Sequence, residues 1–155
     1  MATAPPLPKI HREHLPGYSN YRPPLLHFGW HFEPNALLKW AAANGIDTTM
    51  RYYTSAGPTG EEPNSLFAVV RPKVLAILAE KAGTPGLRPI FKLGIRRGGQ
   101  HLIVISSNYR FLEDKKSITR GRVDVFDRYL KEHGIVVDSP AWHLDCEDYK
   151  WSQIR

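Results

Sequence analysis

The chain has 155 residues, 42% of them hydrophobic and 23% charged, a balance that belongs to a globular domain and excludes disorder throughout. No run approaches the roughly 18 to 20 apolar residues of a membrane span, and the start, MATAPPLPKI, has no apolar signal-type core, so we expect no membrane attachment and a cytoplasmic or nuclear protein. Cys146 stands alone, which excludes an intrachain disulfide and fits a reducing compartment, while the formal net charge of +6 leaves an anionic partner open.

Residues 1–30 carry Pro5, Pro6, Pro8, Pro16, Pro23 and Pro24, a density that argues against helix and interior strand, so a proline-rich extended arm is expected there. Its second half is too apolar to leave in water. Tyr18, Tyr21, Leu25, Leu26 and Phe28 should lie across the remaining chain, 31–155, read as a single domain. A first helix is predicted over Pro34 to Asn44, because proline suits the first turn and Asn44-Gly45 ends a helix. Thr48 to Thr54 is rich in strand formers, and SAGPTGEEPN after it reads as a loop. Ser65 to Val70 fits either a strand or the opening of a helix, and a second helix starts at Pro72 and stops before Gly83.

The chain is best organised around a hairpin over Leu87 to Asn108, within which strands spanning 88–107 are joined at Gly98-Gly99, since two glycines supply the positive φ angles of a tight turn. That turn sets a register. Leu93 would face Val104 and Phe91 would face Ser106 on an apolar face, with Lys92, Arg96 and His101 together on the other. A polar connection follows, then a third helix from Thr119–Arg122 to His133, a short strand at Ile135-Val136-Val137, and an aromatic tail that packs back. The resulting class is α+β, a layer-type domain with a sheet of about four or five strands and about three helices on it.

Arg88, Lys92, Arg96, Arg97, Arg110, Lys115, Lys116, Arg120 and Arg122 concentrate the positive charge in one segment. Lys92, Arg96, Arg97, His101, Arg110, Arg120 and Arg122 are the candidate anion-binding residues, with Tyr109 and Phe111 as stacking partners if the anion is a single strand. His27 and His31 have a metal-like i, i+4 spacing that needs a helix, and the prolines around them disfavour one; no metal and no cofactor are expected. His143, Asp145, Cys146, Glu147 and Asp148 gather site-type residues in the tail, but carboxylates suppress a thiolate. The acidic group is expected to pair with the basic segment or to face water.

No catalytic set assembles from the sequence. The reading is a non-catalytic intracellular binding domain whose basic face meets an anionic protein or nucleic acid. Two alternatives stand beside it. One is a small enzyme on a phosphorylated or carboxylated metabolite, with arginines holding the anion and His101 or His143 as acid or base. The other is an interaction subunit that uses its aromatic termini.

Overall fold

The computed structural model describes residues 9–94 and 100–153. A 3-10 turn at Arg12–His14 precedes the short strand β1 (Tyr21–Arg22) and then β2 (Leu26–His31). The arm thus enters the main sheet soon after Pro23-Pro24. Helix α1 (Pro34–Ala43) begins with proline at its first position, and the Glu33 carboxylate accepts from the Asn35 amide at 3.1 Å. Strands β3 (Met50–Thr54) and β4 (Gly57–Glu62) form an antiparallel ribbon. The second of these corrects the predicted loop. Pro58 is accommodated because it lies at a register shift opposite Tyr53, in a strand that pairs on one side only.

Leu66–Val69 forms a short helix, α2, rather than a strand, and α3 (Pro72–Lys81) follows and is ended by Gly83 at φ 79°. Then come β5 (Ile90–Gly94), β6 (Gln100–Ser107), the single turn α4 (Phe111–Asp114) and α5 (Arg120–Glu132). Thr119 caps α5 by accepting from the Arg122 amide. The predicted strand at residues 135–137 does not form. Ile135 and Val136 are buried plugs, and the Ile135 carbonyl accepts from the Glu33 amide at 2.8 Å instead of joining a ladder. The strand lies further on, at β7 (Ala141–Leu144), and β8 (Ser152–Gln153) pairs with β1.

The main sheet is antiparallel, with order β5-β6-β2-β7, and five α-helices accompany it among the described residues. This is the α+β arrangement expected. One face is covered by α1, α3 and α5. Phe28, Trp30, Phe32, Ile103 and Ile105 meet Leu37, Trp40, Leu75, Leu78, Phe126 and Leu130 in one continuous core. Trp30 is wholly buried, and its indole N–H, which burial obliges to find a partner, donates to Asp127 on α5 at 2.9 Å. Trp40 likewise donates to the Tyr129 hydroxyl at 3.0 Å. Among the described residues no helix is long and apolar enough to cross a membrane.

The hairpin forms, but its register differs from the predicted one by three residues. Leu93 pairs with His101 rather than Val104, and Gly94 with Gln100, so residues 95–99 separate the last paired positions. Gly98-Gly99, Arg96 and Arg97 lie outside the described residues. An odd shift exchanges sheet faces. Lys92 now shares a face with Leu102, whereas His101 joins Phe91 and Phe32, with ring centroids 6.1 and 6.0 Å away. Lys92 and His101 are therefore on opposite faces.

The second face is also covered. Leu102 and Val104 are buried on it because the chain beyond β7 crosses toward β5: the Asp145 amide donates to the Leu25 carbonyl, the Cys146 amide donates to the Leu93 carbonyl, and Gly94 bridges Asp145. The edge strands meet at that end, so the sheet is curled. Buried Asn108 fastens the arm below it. Its side-chain oxygen accepts from the Leu26 amide, and its amide nitrogen donates to the carbonyls of His14 and Pro24.

A close approach of β2 to β6 depends on Gly29. A Cβ there would lie 2.0 Å from the Ile103 carbonyl oxygen, which is backbone and cannot step aside. Gly29→Ala is expected to lower the unfolding free energy by about 3 kcal/mol or more in urea denaturation. Gly60→Ala, where nothing lies within 4 Å, should change it by less than about 0.5 kcal/mol. Equal effects would disprove the close-packing account.

Candidate anion-binding cleft

At the junction of the curled sheet and α4 the basic segment folds around two adjoining hollows. The first, of about 250 Å³, is lined by Leu25 and His27, by Ile90 and Lys92 of β5, by Ser106 and Ser107 of β6, and by Arg88 and Arg110. The second, of about 350 Å³, continues past Arg88, Arg110 and Asp114 to Gly86, Ser117 and Arg122. The two share Arg88, Ile105, Arg110 and Asp114, so four cations and one carboxylate border a continuous cleft. Its combined size is that of a small-metabolite site.

The local folding explains the convergence. Arg88 precedes β5, and Lys92 follows at a position that the observed register turns away from the helices. Arg110 is the N-cap of α4. Between Phe28 and Gly29 the β2–β6 register slips, leaving Ile105 as an extra residue in β6, and such bulges re-aim neighbouring side chains. Ser106 beside it donates from its hydroxyl to Asp114 at 2.8 Å. Arg122 lies over Gly86, where a Cβ would come within 2.9 Å of the guanidinium, and donates to the Ser117 carbonyl at 3.0 Å.

Little of this charge is neutralised internally. Arg110 reaches Asp114 only at 3.5 Å, and Arg88, Lys92 and Arg122 form no ion pair among the described residues. Arg120 is different: it pairs with Asp124 on its own helix at 3.5 Å and does not line the cleft. His101 is stacked on Phe91 across the sheet. Of the predicted set, then, Lys92, Arg110 and Arg122 come together, Arg120 and His101 stand apart, and Arg96 and Arg97 fall outside the described residues.

One lining residue, His27, has a partner that the sequence did not give it, Asp145. His27 Nε2 lies 2.8 Å from the Asp145 carboxylate, across 118 residues of chain. The imidazole is 3% exposed, and Asp145 side-chain exposure is 13%, so the contact is shielded from water. Asp145 is further held by the amides of Glu147 and Asp148, both 2.9 Å from its other oxygen. Burial is the largest influence on each group, and its outcome differs. It holds His27 below the ordinary histidine value against the raising effect of Asp145, with Lys92 pushing in the same direction as burial. Asp145 ends below the ordinary carboxylate value because the Asp148 and Glu147 amides and His27 together outweigh the upward push of burial. The arrangement is a neutral imidazole donating to a carboxylate.

The acidic tail is expected from sequence to pair with the basic segment or to face water; among the described residues Asp145 and Asp148 pair elsewhere. Asp145 takes His27, and Asp148 takes Arg22 at 2.8 Å. His143 lies opposite His27 in the β2–β7 ladder. Among the described residues no three His, Cys, Asp or Glu side chains are placed to hold a metal ion. Comparison of the chain with family models, with curated proteins and with solved structures finds no match.

The two shifted groups act in the same sense on stability. An imidazole held below 6.5 in the folded state binds its proton more readily in the unfolded chain, so stability falls as pH drops through about 6.5. A carboxylate held below 3.8 loses its contribution as pH falls below that value. Urea midpoints should decline in these two stages, and His27→Gln should remove the first. A wild-type midpoint that is flat from about pH 7 to about pH 5 would contradict the buried neutral pair.

Proposed function

We propose that the protein binds a small ligand bearing a phosphate or carboxylate group in the cleft bordered by Arg88, Lys92, Arg110 and Arg122. The observation that carries this reading is the convergence of those cations on a concave, partly apolar hollow, with Arg88 and Lys92 lacking acidic partners among the described residues. Guanidinium and ammonium groups that converge on one hollow can reach the same oxyanion together, and such charge-assisted hydrogen bonds are the stronger kind.

A nucleic-acid partner finds less support. The aromatic groups that a single strand would stack on are committed elsewhere. The Tyr109 hydroxyl donates to the Pro23 carbonyl at 2.6 Å and accepts from Arg22, while Phe111 stands edge-on to Trp142 at 5.5 Å.

Titration calorimetry with inorganic phosphate, in low-salt buffer, tests the proposal. Lys92→Met and Arg110→Met should each weaken binding about tenfold, in line with loss of one charge-assisted contact. Arg120→Met should leave it unchanged. No heat with phosphate, or an equal loss in all three variants, would overturn the cleft as the binding site. Tight binding of an oligonucleotide that survives Lys92→Met and Arg110→Met would favour the polymer instead.

A further inference from the structure

The buried His27–Asp145 contact is not needed merely to line a cation-rich hollow, and its position bears on what the hollow binds. His27 forms part of the wall that also carries Lys92, and Lys92 is the cation whose charge acts on the imidazole. Asp145 occupies Nε2, and Nδ1 has no hydrogen-bond partner among the described residues. Asp145 of the tail turn and Lys92 of β5 act on the ring, His143 of β7 lies opposite it in the ladder, and Arg88, Arg110 and Asp114 line the same hollow. On the cleft side of His27, Lys92 is the cation that opposes an imidazolium.

Resting on the anion-binding reading above, we propose that the cleft takes a divalent tetrahedral oxyanion together with one proton, and that His27 is the group that receives the proton. The physical cause is charge balance. A dianion held beside Lys92 offsets that cation's repulsion of an imidazolium and adds its own attraction, while Asp145, 2.8 Å from Nε2, is already fixed to stabilise the positive ring. Protonated Nδ1 then gains a partner in the bound oxyanion. Lysine and arginine are already protonated and cannot take up another proton. The rival acceptor on the cleft wall is Asp114, whose carboxylate accepts from Ser106 and lies 3.5 Å from Arg110. A ligand that arrives as a phosphate ester would thus meet a proton donor beside its own oxygen atoms, in a site that distinguishes dianions from monoanions.

Sulfate is the appropriate probe, because it remains a dianion across the range in which histidine titrates. Its affinity, measured by calorimetry, is expected to rise at least fivefold between about pH 8 and about pH 5.5, since uptake of one proton permits up to about tenfold per pH unit. His27→Gln should lose the rise between the two pH values, whereas Asp114→Asn should still show it. In the wild-type protein the imidazole NMR signal of His27 should titrate at higher pH when sulfate saturates the cleft; this reading does not depend on the folding of any variant. A rise that persists in His27→Gln, or a His27 titration unmoved by saturating sulfate, overturns the proposal while leaving the anion cleft standing. Absence of sulfate and phosphate binding at every pH removes both.

Discussion

A buried carboxylate cannot be left alone, and the requirements of Asp145 organise much of this molecule. Its oxygens take His27 and two successive amides of the tail, while its backbone joins Leu25 on one side and approaches Gly94 on the other. These contacts draw the chain after the last sheet strand across the face that the helices leave bare. The curl of the sheet, the cover over Leu102 and Val104, and the orientation of the imidazole all follow from satisfying one side chain.

The cleft exploits that curl. A flat sheet would spread Arg88, Lys92 and Arg110 over solvent, where like charges separate and salt screens them. Here the bulge at Ile105 and the short α4 helix bring three parts of the chain against one hollow. Asp114 tempers the repulsion without quenching it, because Ser106 holds its carboxylate and Arg110 is only loosely engaged. The site is thus electrostatically incomplete, in contrast to the core beneath it, where Trp30 and Trp40 each find a partner.

The helices were legible because each carries its own punctuation: Pro34 with Asn44-Gly45, Pro72 with Gly83, Thr119 with Gly134. Strands were legible where both pattern and partner were local, as in the hairpin. Its register was not, since two adjacent glycines implied a tight turn between positions that the structure separates by five residues. The ribbon strand at residues 57–62 escaped notice because an exposed edge needs backbone pairing rather than apolar alternation, and Ile135-Val136 misled because buried plugs and strands share composition. Lys92, Arg110 and Arg122 were visible as a run of charge. His27 was visible only as a histidine, for its meaning depends on a partner 118 residues away, and no local pattern announces such a pairing.

The placement of β2 governs how the molecule can be made. It lies in the middle of the main sheet, yet its neighbours are β6, beginning at Gln100, and β7, ending at Leu144. During synthesis the segment holding Phe28, Trp30 and Phe32 must wait, unpaired and apolar, until β6 emerges from Gln100 onward, and it gains its second neighbour only with β7 at Ala141–Leu144. Non-local pairing of this kind slows folding and exposes sticky strand edges to other chains. The ribosome delivers the centre of this protein first and its walls last.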